Sequence, residues 1–339
     1  MTDESERILD QGPTRRPRRL RKTSAIRQLV AETSLNPSDL IAPLFVREGI
    51  EAPIPIESMP GVEQHSLASL VNEVKRLVSL GVPAVTLFGV PESKDALGSG
   101  ASNPGGISQM AIRAIRDAVG DDLVIMPDLC LDEYTDHGHC GLLDAHGRVD
   151  NDATLERYGE IAIAQAEAGA DFVAPSGMMD GQVRHIRAAL DGAGHVEVGI
   201  LAYAVKYASA FYGPFREAVE VEIVGGGDRR TYQQDIANAR ESVLEANLDV
   251  AEGADIVMVK PALPYLDVLS EVRRSVRVPV AAYQVSGEYS MIVIASERGV
   301  VDRRAAVLET LTSIKRAGAD MVLTYFAAEV AEILGESRS

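Results

Sequence analysis

The chain of 339 residues has no tryptophan, only 5% aromatic residues, two cysteines and six lysines. Two thiols, Cys130 and Cys140, are too few for a disulfide framework at this length, which predicts a reducing, cytoplasmic setting. No run approaches the ~18 uninterrupted apolar residues of a membrane span. The first thirty residues hold no apolar core of the kind a secretory leader needs. Neither GxxxxGK nor GxGxxG occurs, so nucleotide chemistry has no support. Positive charge is also short: 33 Lys and Arg stand against 50 Asp and Glu, a net charge of −17 that disfavours nucleic acid and anionic membranes as partners.

What is present suffices for a large core: 46% of residues are hydrophobic and 24% charged, an ordinary globular composition. The acidity is uneven, because residues 1–30 carry eight basic side chains against four acidic ones. Such an arm could bind nucleic acid or lie against an acidic sister subunit, and the acidity of the body favours the second.

The body has a rhythm. Four amphipathic stretches end in glycine and are followed by an aliphatic run, at Gly81, Gly169, Gly253 and Gly318. Glycine suits the left-handed position that closes a helix, and short apolar runs without alternation read as strands buried on both faces of a parallel sheet. With the runs lacking that glycine, eight strands are predicted, at 39–46, 84–90, 123–129, 172–176, 198–205, 255–260, 279–285 and 321–327. Helical patterns separate most of them, the clearest over 66–80. The sum predicts a (β/α)8 TIM barrel with an extended N-terminal arm, ahead of a doubly wound open sheet. We divide it into an arm over 1–35 and a catalytic barrel over 36–339. Irregular stretches at 91–106 and 207–233, the second with Gly225, Gly226 and Gly227, read as active-site lids or mobile segments.

In a barrel the active site lies where strands end. The predicted strands end at Asp128, Ser176, Lys206, Lys260, around Tyr283 and Ser286, and at Tyr325. Two of only six lysines therefore stand at adjacent strand mouths. Two neighbouring ammonium groups in a partly desolvated pocket lower at least one pKa, and a free amine attacks carbonyls to form a Schiff base. The pair points to carbonyl-dependent carbon–carbon chemistry with two carbonyl substrates. Arg216, Arg229 and Arg230 read equally well as carboxylate clamps or as a solvated loop. Cys130, Asp132 and Cys140 offer two thiolates and a carboxylate within eleven residues, a catalytic divalent-metal pattern; the alternatives are a disulfide or two inert thiols. The carboxylate makes magnesium, or weaker zinc binding, more plausible than an all-thiolate set would.

The segments Lys206–Ala218, Met258–Asp267, Tyr283–Tyr289 and the Cys130–Cys140 loop resemble porphobilinogen synthase, also called 5-aminolevulinate dehydratase, and the resemblance runs from about Arg18 onward. It implies a barrel that condenses two 5-aminolevulinate molecules to porphobilinogen with loss of two waters, in haem and tetrapyrrole synthesis. By position, Lys260 would form the Schiff base on the propionate side, with Ser286 and Tyr325 on that carboxylate. Lys206 would bind the acetate-side substrate, with Arg216, Arg229 and Gln233 on its carboxylate, while Asp128, Ser176 and Tyr283 line the pocket. The resemblance further implies an allosteric magnesium at Glu245, and an arm that embraces a neighbour in a homo-octamer or hexamer. The Cys130, Asp132, Cys140 set matches neither the three-cysteine zinc type nor the thiol-free magnesium type, so zinc and magnesium both stand for the active site. The rival readings are a class I aldolase, which needs one lysine and a phosphate site, and a barrel kept only as a binding module.

Overall fold

A computed structural model describes residues 15–224 and 228–336. Residues 1–14 of the expected arm, and Gly225, Gly226 and Gly227 of the expected lid, lie outside the described residues. The chain falls into two units, one up to Ser34 and one from Leu35 onward. In the first, a 3-10 turn at Pro17–Arg21 precedes α1 (Ser24–Leu29), whose start is capped by the Thr23 hydroxyl accepting the Ile26 N–H.

The second unit carries the strands β1 (Leu40–Arg47), β2 (Ile54–Pro55), β3 (Glu63–His65), β4 (Ala84–Val90), β5 (Val124–Leu129), β6 (Phe172–Pro175), β7 (Gly199–Lys206), β8 (Ile256–Lys260), β9 (Val280–Gln284) and β10 (Met321–Thr324). Its helices are α2 (Leu67–Ser79), α3 (Ile107–Val119), α4 (Asn151–Ala168), α5 (Gln182–Gly192), α6 (Gly213–Ala218), α7 (Arg240–Glu252), α8 (Leu266–Ser275), α9 (Ser286–Glu297), α10 (Arg303–Ala317) and α11 (Ala327–Glu336). Strand β1 and strands β4 to β10 are parallel neighbours in chain order, and β10 pairs back onto β1 through Leu40↔Val322 and Ile41↔Leu323. That closure makes the eight-stranded barrel. The short β3 adds in parallel to β1, with β2 antiparallel to it. Only two and three residues long, this pair carries no periodic signal in the sequence.

The predicted strands match those observed to within a residue or two, save the last, expected over 321–327. It stops at Thr324, whose Oγ1 accepts the Phe326 N–H and turns the chain toward α11. The helix expected over 66–80 is α2, with Ser66 as its cap and Leu70, Val74 and Leu77 buried.

The glycine joints close their helices as read: Gly169, Gly253 and Gly318 sit at φ +105, +112 and +126, where a side chain would be strained. The aspartate two residues after each does further work. Asp171 accepts the Ile125 N–H at 2.7 Å, Asp255 that of Ile200 at 2.8 Å and Asp320 that of Val280 at 2.9 Å. Each carboxylate thus ties the start of one strand to its predecessor, pairing β5 with β6, β7 with β8 and β9 with β10 at the amino-terminal end of the barrel. That end serves stability and leaves the opposite rim for chemistry.

Candidate active site

Strands β7 and β8 lie side by side with Lys206 and Lys260 as register partners. This alignment depends on an irregularity. Ala202 faces Val257, but Val205 faces Val259, so β7 gains one residue between them. In an unbroken ladder Lys206 would face Pro261 instead. A bulge of this kind re-aims side chains beside active sites, and here it brings both amines to one place, each 4% exposed.

The two amines differ in surroundings. Lys260 Nζ lies 4.6 Å from the ring centre of Tyr283, 5.0 Å from Tyr203, 5.2 Å from Phe215 and 5.3 Å from Tyr212. A chain with few aromatics spends four of them on one lysine. Burial, and then the charge of Lys206, lower the Lys260 pKa to about 7. Lys206 donates to the Ser176 carbonyl at 2.6 Å. Burial disfavours its charge too, but Cys140, Cys130, Asp132 and Asp128 outweigh that and hold it above its usual value. One amine is therefore free near neutral pH and the other is an ammonium.

This difference has a measurable consequence. Below pH ~7 Lys260 carries a proton and cannot attack a carbonyl, so kcat/KM should climb with one-proton slope through about 7. A limb placed near the ~10.4 of an ordinary lysine would refute a desolvated nucleophile.

Asp128 stands on β5 with its carboxylate accepting the Ser176 hydroxyl at 3.1 Å. Burial pushes its pKa up to about 6, against the pull of Lys206 and Lys260. Asp128 and Ser176, both predicted from strand ends, thus meet Lys206 in one hydrogen-bonded group.

A cavity of about 280 Å³ opens beside the lysines, lined by both of them and by Arg216, Arg229, Arg230 and Gln233 among others. Three guanidiniums and two amines on one cavity wall give it the chemistry to receive carboxylates. Two buried donors on this wall, Arg229 Nε and Gln233 Nε2, have no hydrogen-bond partner among the described residues. Buried donors of this kind take a ligand or an ordered water.

Ser286 and Tyr325 stand apart from the cavity wall, as do Asp128, Ser176 and Tyr283. Ser286 Oγ accepts the Phe215 N–H at 3.0 Å, and the hydroxyls of Tyr325 and Tyr283 bond each other at 2.9 Å. Neither lines the cavity. They adjoin the Lys260 cage rather than the open wall, since Phe215 and Tyr283 belong to that cage.

The thiol cluster follows β5 directly. One atom each from Cys130, Asp132 and Cys140 lie within 4.8 Å of one another, all buried, and both cysteines are free. Burial holds the Cys130 thiol well above its usual pKa. For Cys140 the same burial is overcome by the Cys130 hydrogen bond and Arg229, which favour its thiolate. Burial likewise raises Asp132, but Arg229 and Lys206 prevail and hold it ionised. Two sulfurs and a carboxylate this close fit a divalent cation of mixed sulfur and oxygen preference. Glu133 is 2% exposed and forms a second gathering with Asp128 and Cys130. Glu245 belongs to neither cluster: it is half-buried on α7 and, with Asp152, Asp180 and Glu241, lines a second cavity of about 660 Å³ that shares Arg230 and Gln233 with the first.

Sequence reasoning missed Tyr203, Tyr212, Phe215 and Glu133. Tyr203 and Lys206 are three residues apart on one strand, which regular alternation sends to opposite faces. Only the bulge turns both inward. Phe215 comes from the irregular stretch after β7, where no periodicity reports direction.

The family profile described as delta-aminolevulinic acid dehydratase matches residues 14–333. A protein of that description from Streptomyces coelicolor is 61% identical over 324 residues, covering 95% of this chain and 98% of its own. The Mycobacterium tuberculosis protein is 58% identical over 321 residues, covering 94% and 97%. Among solved structures, the delta-aminolevulinic acid dehydratase (porphobilinogen synthase) of Toxoplasma gondii, determined with its reaction product porphobilinogen, superposes with a TM-score of 0.93 at 47% identity, over 95% of this chain and 92% of that one. With the paired lysines and the cationic cavity, these matches along nearly the whole length make the chain a member of the delta-aminolevulinic acid dehydratase (porphobilinogen synthase) family.

Proposed function

We propose that the chain condenses two molecules of 5-aminolevulinate into porphobilinogen with loss of two waters, and that Lys260 and Lys206 each hold one substrate through its ketone. The observation that carries this reading is the register pairing of Lys206 with Lys260 beside a cavity of three arginines. A one-lysine aldolase has no use for the second amine.

The division of labour follows from the two environments. Lys260, free near neutral pH, attacks a ketone carbon; the hydroxyl leaves as water once protonated, and an imine remains. The imine draws electrons from the adjacent carbon, which can then lose a proton and attack the other substrate. Asp128, close to both lysines and with a pKa near 6, can accept and return that proton. Arg216, Arg229 and Gln233 take the carboxylate of the substrate on Lys206, filling the unpaired Arg229 Nε and Gln233 Nε2 donors. Ser286 and Tyr325 take the other carboxylate, exchanging their present partners for it. Tyr203 and Phe215 keep water from the Lys260 imine.

Cys130, Asp132 and Cys140 would hold a divalent cation, zinc or magnesium, which when bound polarises a carbonyl or a leaving hydroxyl as a Lewis acid. We assign Glu245 to a regulatory magnesium and the basic arm to a neighbouring subunit in an octamer or hexamer. No described helix is long and apolar enough to cross a membrane.

Porphobilinogen formation from 5-aminolevulinate by the purified chain tests the reaction, and failure to form it with either metal present would end the assignment. Chelation should remove bound metal, seen by elemental analysis, and lower the rate by at least ~10-fold, with zinc or magnesium restoring it. A chain isolated metal-free and indifferent to both would show that Asp132 has not preserved a metal site.

A further inference from the structure

Arg229 is committed in a way that bears on the carboxylate it is meant to hold. A guanidinium grips a carboxylate with two parallel N–H bonds along one of two edges, Nε with Nη2 or Nη1 with Nη2. Nη2 belongs to both edges and has two hydrogens. Nη2 donates to the Gly138 carbonyl at 2.9 Å and is ion-paired with Asp132 Oδ2 at 2.8 Å. Asp132 and the Gly138 carbonyl thus hold the one nitrogen that both edges share, although Nε is unpaired and Arg229 lines the cavity. Asp132, meanwhile, is the oxygen donor of the Cys130, Asp132, Cys140 gathering. One buried carboxylate thus stands between a guanidinium and a position suited to a divalent cation. A thiol at 132 would be a weak acceptor and would not tie Arg229 down in this way.

We propose that Asp132 gives up Arg229 when it ligates a divalent cation, and that this exchange frees the Arg229 fork for the substrate carboxylate, coupling metal occupancy to carboxylate affinity. The proposal rests on the ligand set assigned under Proposed function. Its physical basis is charge: a doubly charged ion shared with two thiolates draws the carboxylate's electron density and leaves little to hold Nη2. Coupling through one residue is reciprocal, so the ligand must tighten the metal by the factor by which the metal tightens the ligand.

The test is calorimetric binding of porphobilinogen to metal-free and zinc-loaded protein, in wild type, Asp132→Ala, Arg229→Ala and the double variant. Zinc should tighten porphobilinogen by ~10-fold in wild type, and porphobilinogen should tighten zinc equally. Without metal, Asp132→Ala should bind porphobilinogen ~10-fold more tightly than wild type, and this gain should vanish when Arg229 is also alanine. A gain that persists in the Arg229→Ala background would mean a general field effect and overturn the exchange. So would an Asp132→Ala variant no tighter than wild type, or zinc leaving wild-type affinity unchanged because Asp132 bridges both cations. Asp132→Ser serves the same comparison if the alanine variant does not fold. Zinc binding as tightly to Cys140→Ala as to wild type would instead defeat the ligand set, while the metal-free comparison still decides whether Asp132 restrains Arg229. No porphobilinogen binding in any form would sink the reaction assignment, and the exchange with it.

Discussion

Lys260→Met should lose at least ~10⁴-fold in turnover, the scale seen when a covalent nucleophile is removed and only binding remains. The argument rests on where the amine is. Lys260 is buried in a cage of four rings, so no water-borne amine can take its place, and burial together with Lys206 already keeps it neutral near pH 7. Methionine matches its length without a charge to desolvate, so thermal stability should hold or rise, separating lost chemistry from lost folding. Borohydride added during turnover of 5-aminolevulinate should trap an adduct on the peptide containing Lys260 in wild type and none there in the variant. Retention of turnover within tenfold of wild type would refute the role of Lys260.

Lys206→Met should cost ~10³-fold or more, for a different reason. Lys206 is held as an ammonium by the cysteines, Asp132 and Asp128, and is anchored on the Ser176 carbonyl. Its removal leaves the second substrate without an amine and takes from Asp128 the stronger of its two cationic neighbours. It also takes away the second cause of the lowered Lys260 pKa, so Lys260 should hold its proton to higher pH. Trapping of levulinate at Lys260 by borohydride should therefore survive in this variant, with its half-maximal pH moved above the wild-type value. A half-point that does not move, or moves down, would show that the two amines do not sense each other.

Both expectations begin from residues that could be named before any coordinates. The barrel was legible because parallel strands buried on both faces leave uninterrupted apolar runs, and because Gly169, Gly253 and Gly318 mark the ends of helices with the one residue that takes a positive φ freely. Asp128, Ser176, Lys206 and Lys260 were legible because a barrel turns the ends of its strands into one rim. Cys130, Asp132 and Cys140 were legible because they follow one of those ends closely. The β2–β3 pair, Tyr203, Phe215 and the tie between Asp132 and Arg229 were not. They depend on segments too short or too irregular for a period, or on partners 97 positions apart in the case of Asp132 and Arg229.

The sequence by itself determined that two scarce lysines end neighbouring strands of a (β/α)8 barrel, since apolar pattern and helix-closing glycines depend on local chemistry alone. Tertiary structure alone decided that the lysines meet. One extra residue in β7 between Ala202 and Val205 moves Lys206 from the level of Pro261 to that of Lys260. A strand's side chains alternate from face to face, so a shift of one residue decides whether two amines share a pocket or point apart. Nothing in the order of residues from 199 to 206 records that shift. It arises from how β7 hydrogen-bonds to β8, and with it come the different pKa values of the two amines.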